Sequence, residues 1–282
     1  MSERLRWKKM KKRDTSSVEM LLRAMEGRCV SACGRFLIRG ESGDPVWTLR
    51  GKDGELAGLL INSRSTLIPV LCGREIPFPR FLGGFFLRKR IHSIQGLRGE
   101  VVILQEAFEK TTGKQAADIF DYDLMSLDRQ PDPKGFLSGP SNLVLRVPRM
   151  TDLDEIAPLQ AAYEQEEVVP KGSTFSPAAS RMNIANIVSR AQVLTAEICG
   201  RLVGKINISA VSFTRYQVGG VYVHPDFRGM GIARRMATEF IASLINEGRG
   251  VTLFVKKDNL AARRLYTSLG FSVSDDYRIT YY

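Results

Sequence analysis

Residues 217–237, QVGGVYVHPDFRGMGIARRMA, constrain this chain more than any other stretch. Val218, Val221 and Val223 are β-branched strand formers, and Pro225 ends the strand. Arg228-Gly229-Met230-Gly231-Ile232-Ala233 follows at once, and from Ile232 the apolar residues recur at 232, 233, 236, 237, 240, 241 and 244, one face of a helix. A strand, a glycine-bearing loop and a helix start in that order leave free backbone N–H groups and the positive end of a helix dipole aimed at one point. The stretch therefore predicts a cradle for a phosphate or pyrophosphate. Two familiar glycine loops do not fit. A dinucleotide fold needs GxGxxG after its first strand and an acidic residue about twenty positions on. A P-loop needs Gly-Lys-Ser/Thr.

The elements around the cradle alternate. The pattern predicts a strand over 143–147, a helix from a Thr151 or Asp152 cap to about residue 166, a loop over 172–177 and a helix over 178–190. A hairpin of 193–198 and 202–213 leads into the central strand. After the cradle come a strand over 251–255, a helix over 260–269 stopped by Gly270, and two strands at 271–273 and 277–281. Hairpins mixed with strand–helix alternation indicate α/β layers around a mixed sheet. The first half predicts a helix over 14–29, a hairpin of strands 46–50 and 55–70 joined by Gly51-Lys52-Asp53-Gly54, and a loop over 72–90. In that loop Phe78, Phe81, Phe85 and Phe86 are too apolar for solvent and are expected to pack on the domain or form an interface. A strand and turn over 91–97, a helix over 100–111 and a strand over 117–127 complete it. Pro131, Pro133, Gly135, Gly139 and Pro140 form the best linker signal, so the boundary is placed near residue 140, dividing the chain into 1–140 and 141–282.

With the cradle, Asn259, Ala261, Ala262, Tyr266 and Gly270-Phe271 in place, residues 142–282 resemble the GNAT acetyltransferase superfamily. Its Arg/Gln-x-x-Gly-x-Gly/Ala motif matches Arg228-Gly229-Met230-Gly231-Ile232-Ala233. The resemblance implies a mixed, mostly antiparallel sheet flanked by helices, and acetyl-CoA as donor to a primary amine. It assigns the pyrophosphate to the N–H groups of Gly229, Met230, Gly231, Ile232 and Ala233, with Arg228 adding positive charge. The pantetheine would pair with the strand over Val221, Tyr222 and Val223, which splays from its neighbour at a bulge near Gly219-Gly220. The Val223 N–H would serve the oxyanion, and Tyr266 would be the general acid. Asn259 would bind the cofactor or cap its helix. Many members carry a glutamate on the splayed strand; Gln217, Val218, Gly219 and Gly220 offer no carboxylate. Glu164, Glu166 and Glu167 are the nearest candidates for a base, with Glu166 and Glu167 preferred, or they form a solvated helix end; Glu197 is weaker, and His224 is read as structural. The order of elements in the first half resembles the degenerate GNAT-like domain of a two-domain bacterial subgroup, which would make it scaffold, acceptor-site wall or partner surface.

Composition narrows the alternatives. Of the net charge of +11, residues 1–13 hold +6, with seven Lys/Arg and one Glu. That segment is read as a solvated first helix, and against that as a contact for RNA or an acidic surface. Four cysteines with no CxxC pair and two histidines predict no metal site and reduced thiols, hence a cytoplasmic protein. No apolar run reaches 18 residues and no apolar stretch follows the basic start, so neither a membrane span nor a secretory signal is expected. The expected partner is an amine-bearing acceptor, small molecule or protein; nucleic acid is not expected, and the chain is expected to be a monomer or homodimer. The rival reading is an acyl-CoA-binding regulator without catalysis.

Overall fold

Both halves of the chain lay down the same succession of elements. In the first, β1 (Arg6–Lys9), α1 (Thr15–Ala24) and α2 (Val30–Leu37) precede β2 (Val46–Arg50), β3 (Leu56–Ser63) and β4 (Thr66–Leu71). Then come α3 (Arg80–Arg88), β5 (Ser93–Leu97), α4 (Arg98–Thr112) and β6 (Asp118–Leu127). In the second, β7 (Leu143–Arg146), α5 (Leu153–Tyr163) and α6 (Pro177–Ser189) precede β8 (Val193–Ile198), β9 (Arg201–Val211) and β10 (Arg215–Val223). The half closes with α7 (Ile232–Asn246), β11 (Gly250–Lys256), α8 (Leu260–Ser268) and β12 (Ser272–Tyr281). The computed structural model describes residues 5–39, 43–72, 80–88, 90–170 and 172–282.

The described strands form one sheet in the order β1-β2-β3-β4-β5-β12-β6-β11-β10-β9-β8-β7. The pairings β4/β5 and β10/β11 are parallel and the others antiparallel, giving the mixed, mostly antiparallel sheet expected. The centre of the sheet is an exchange. The last strand of the first half, β6, lies between β11 and β12, and the last strand of the second half, β12, lies between β5 and β6.

In the second half both faces of the sheet are covered. Ile232, Met236, Ala237, Phe240, Ile241 and Leu244 of α7 pack on Val218, Val223, Leu253 and Val255. On the other face α5 and α6 bring Ile156, Leu159, Ile184 and Val188 to Val193, Leu202 and Tyr222. Each large side chain so buried contributes roughly 1.5–3 kcal/mol. Cover on both faces is why β9 is buried at every residue from Leu202 to Ile208. Among the described residues, no helix is long and apolar enough to cross a membrane.

Several local expectations change. The helix expected over 14–29 ends at Ala24; a short turn, Glu26–Arg28, separates it from α2. The strand expected over 55–70 is two strands, because Arg64 (φ 49°) and Ser65 (φ 67°) turn the chain back. The loop expected over 72–90 contains α3, whose Phe85 and Phe86 are buried with Trp47 and Phe108; Phe78 and the side chain of Phe81 lie outside the described residues. The two strands expected at 271–281 are one strand, β12, kinked by a register shift between Val273 and Asp275. The basic start is not a helix over residues 6–9. It is the edge strand β1, with Trp7 buried and Arg6, Lys8 and Lys9 exposed, an arrangement that discourages a further strand from pairing.

Candidate active site

The site begins where two parallel strands part. β10 pairs with β11 only from Arg215 to Val218, whereas its pairing with β9 continues to Val223. A register shift between Gly219 and Tyr222 marks a bulge at the expected glycines, and Gly220 sits at φ +59°. A Cβ at Gly220 would overlap Asn207 Oδ1 and lie 2.7 Å from Lys205 Nζ, so glycine is required for space as well as for conformation. Beyond the bulge the His224 amide donates to the Val203 carbonyl at 2.8 Å. Antiparallel alternation then turns the Val223 N–H and C=O away from β9, into the gap. Val221 and Val223 face the α7 core, and Tyr222 faces α5 and α6.

The strand leads to the glycine loop. Gly229 (φ +80°) and Gly231 (φ +79°) take left-handed conformations, and α7 begins at Ile232 with no side chain capping its first turn. A Cβ on Gly229 would meet nothing, whereas one on Gly231 would press the Gly139 amide at 2.9 Å. The loop is open on one side and closed by residues 138–139 on the other. Met230 is exposed and Ile232 is buried, so Ile232 anchors the helix while the backbone around Met230 faces out. Uncapped N–H groups at a helix start form a ready anion site, and the residues present fit a pyrophosphate there.

Each of the other residues singled out from sequence has a partner or a burial that limits its role. Arg228 donates through Nε to the Val223 carbonyl at 3.0 Å and through Nη2 to Glu166 Oε2 at 2.8 Å. Glu166 also accepts from the Tyr222 hydroxyl at 2.9 Å. Partial burial raises the Glu166 pKa, but these two hydrogen bonds win and hold the carboxyl below its usual range. Glu167 pairs with Lys256 Nζ at 3.2 Å and accepts from Asn259 Nδ2 at 3.4 Å. Asn259 Oδ1 accepts the Ala262 N–H at 3.0 Å, so Asn259 caps α8. Glu164 accepts from Gln160 at 2.7 Å and Asn183 at 3.0 Å. Tyr266 is buried, edge-on to Phe271 at 5.8 Å; burial, with Tyr163 and Glu167 nearby, pushes its phenol well above the ordinary range. Glu197 is held by Arg146 at 2.7 Å, and His224 Nδ1 accepts the Asp226 N–H at 3.4 Å, a turn-capping role.

The acetyltransferase (GNAT) family model matches residues 158–271, from within α5 to the start of β12. Over these residues the chain is similar to the GNAT family. N-alpha-acetyltransferase RimI of Mycobacterium tuberculosis is 42% identical over 77 residues, 26% of this chain and 46% of that protein. The chain spans about half the length of the curated relatives it matches. In fold the likeness extends further. A GCN5-related N-acetyltransferase from Sphaerobacter thermophilus is 20% identical with a TM-score of 0.60, over 99% of this chain and 96% of that one. A tandem GNAT protein from the clavulanic acid biosynthesis pathway is 14% identical with a TM-score of 0.60, over 98% of each chain.

Three further residues that the sequence reading missed enter this region. Lys205 on β9 is fully buried and donates to the Gly220 carbonyl at 2.8 Å and to Asn207 Oδ1 at 3.0 Å. The Tyr163 ring lies 4.7 Å from Lys205 Nζ, and the Tyr163 hydroxyl bonds the Gly220 backbone. Burial drives the Lys205 pKa down to about 7, opposed by the charge of Glu164. The available signal was a lone lysine inside the apolar run of β9. β6 of the first half also reaches this region: Phe120 lies 4.9 Å from Lys256 Nζ, the ammonium that pairs with Glu167.

Proposed function

We propose that this protein is an acetyl-CoA-dependent N-acetyltransferase that transfers an acetyl group directly to a primary amine. The observation that carries the reading is the coincidence of two features at one end of β10. The strand parts from β11 at a glycine bulge, and five residues beyond Val223 the uncapped loop into α7 begins. One opening can therefore pair an extended chain against a free strand edge and hold its pyrophosphate at a helix start. Backbone N–H groups of residues 229–233 hold the diphosphate, and the strand over Val221, Tyr222 and Val223 holds the arm. Arg228 reaches the same loop once it exchanges Glu166 for the phosphate. When bound, acetyl-CoA supplies an acetyl group activated as a thioester.

The chain's own residues do the rest. The Val223 N–H faces the gap and is placed to donate to a developing oxyanion. Tyr266 holds its proton at Oη through the physiological range, as a general acid must before it donates. Glu166 and Glu167 line the wall beside Arg228, Lys256 and Asn259, where they attract a cationic acceptor; Arg228 and Tyr222 make Glu166 a poor proton acceptor. The acceptor is a small amine or a protein lysine or N-terminus, and the relatives named N-alpha-acetyltransferases support a peptide α-amine. The first half, residues 1–140, is a degenerate GNAT-like domain that supplies scaffold and wall. Its repeated order of elements and the tandem GNAT neighbour support that division, and we place the protein in the cytoplasm.

Calorimetry with acetyl-CoA tests the cradle. Gly231→Leu puts a side chain at φ +79° against the Gly139 amide and should abolish binding. Native-like affinity in that variant would remove the pyrophosphate assignment. CoA release over a panel of amines and peptides tests transfer itself.

A further inference from the structure

The sheet face that meets α5 and α6 lacks the carboxylate that a base on β10 would supply, but the volume is not empty. A side chain on Gly220 would need the space that Lys205 Nζ and Asn207 Oδ1 now fill. An amine carried by the neighbouring strand thus stands where the bulged strand's own side chain would project. Lys205 pairs across the sheet with Tyr222, so its side chain points to the face where Tyr222 meets Glu166. Tyr163, at the end of α5, covers the amine with its ring and bonds Gly220 with its hydroxyl, and it lies within electrostatic reach of Tyr266.

Resting on the acetyl-transfer reading, we propose that Lys205 takes up the proton released by the acceptor ammonium, beneath the Tyr163 ring that covers it. The acceptor's N–H bond breaks and its proton passes to the free electron pair of Lys205 Nζ. The acceptor is left as a neutral amine with a free electron pair, and Lys205 becomes an ammonium. No electrons change hands, and the proton later leaves to solvent by the same path. The pocket accommodates both forms. Neutral Lys205 gives its two N–H groups to Gly220 and Asn207, and the third hydrogen of the ammonium faces the Tyr163 ring. The ionisable groups facing it are Tyr163 and Glu164, both at the end of α5. Burial keeps a large share of the amine neutral at physiological pH, as a proton acceptor requires.

The test is the pH profile of kcat/KM for the native protein, Lys205→Met and Lys205→Gln, with the best acceptor from an amine and peptide panel. The native profile should fall about tenfold per pH unit below about pH 7. Both variants should lose that limb and about 100-fold in kcat, while binding acetyl-CoA within about threefold of native and unfolding at a similar temperature. Tyr163→Phe keeps the ring over the amine and should keep the limb. Survival of the limb in both Lys205 variants would overturn the assignment. So would a loss of acetyl-CoA affinity in step with kcat, which marks a lysine that only clamps the bulge. A native protein that binds acetyl-CoA and transfers to no amine would remove the transfer reading, and this assignment with it. The native control tells that failure from failure of the variants alone.

Discussion

Two residues, the proposed acid Tyr266 and the bulge glycine Gly220, are testable apart. Tyr266 makes its case by burial: a phenol raised by its surroundings keeps its proton until the reaction draws on it, and on the proposed reading the departing sulfur takes it as its bond to carbon breaks. Tyr266→Phe keeps the ring against Phe271 and removes only the proton, so kcat should fall by about 10²-fold with acetyl-CoA affinity within about twofold. Steady-state rates beside calorimetry check this, and an unaltered rate removes Tyr266 as the acid. Gly220 is a matter of space. Gly220→Ala forces a Cβ onto Asn207 and the Lys205 amine at a positive φ, and should destabilise the fold by about 1–3 kcal/mol. A denaturant midpoint equal to native would show that the bulge relaxes. Glycines 229 and 231 were legible because a motif with fixed spacing marks them. Lys205 was not: alternation cannot tell which face a strand residue takes when both faces are covered, and one lysine among apolar neighbours reads as an interruption.

At the scale of elements, the second half was read almost to its boundaries, because each helix there starts or stops at a recognisable residue. Ser176 caps α6 by accepting the Ala179 N–H at 3.3 Å, and Asn259 caps α8. The first half was misread where that punctuation is missing. Arg64 and Ser65 hold left-handed conformations without glycine or asparagine, so only the polar stretch Asn62-Ser63-Arg64-Ser65-Thr66 marks where residues 55–70 turn back. The conformation itself predicts the remedy. Replacing Arg64-Ser65 with Asn-Gly, which suit this two-residue turn between β3 and β4, should raise stability by about 1 kcal/mol, seen as a higher urea midpoint at unchanged slope. A lower midpoint would mean that Arg64 or Ser65 contributes more through its contacts than its backbone costs. α3 was hidden for another reason: prolines and paired glycines around the phenylalanines signal a loop, and burial of Phe85 and Phe86 against Trp47 and Phe108 overrides it.

At the scale of the whole molecule, strand order is what no reading of local pattern could reach. Periodicity identifies a strand but does not name its neighbour, and here the decisive neighbours lie more than a hundred residues apart. β6 of the first half pairs with β11 from Tyr122 to Leu127 and with β12 from Asp118 to Ser126. The two halves are further pinned where the Glu26 carboxylate accepts from the Thr214 amide at 2.6 Å and hydroxyl at 2.7 Å. A boundary near residue 140 is therefore a boundary of sequence, and cutting there severs no strand but removes a strand from each half. Residues 141–282 alone would keep the glycine loop, without residues 138–139 that close one side of it, together with Tyr266 and Lys205, yet leave the facing edges of β11 and β12 without a partner and β12 without β5. Exposed apolar edges of that length favour association over a folded monomer. The fragment should be insoluble or aggregated and should bind no acetyl-CoA, whereas co-expression with 1–140 should restore a soluble heterodimer that does, measured by size exclusion and calorimetry. A monomeric 141–282 with native affinity would show instead that β11 and β12 can close on each other. The first half would then have to act through Phe120 and its neighbours at the acceptor wall, not through the architecture of the sheet.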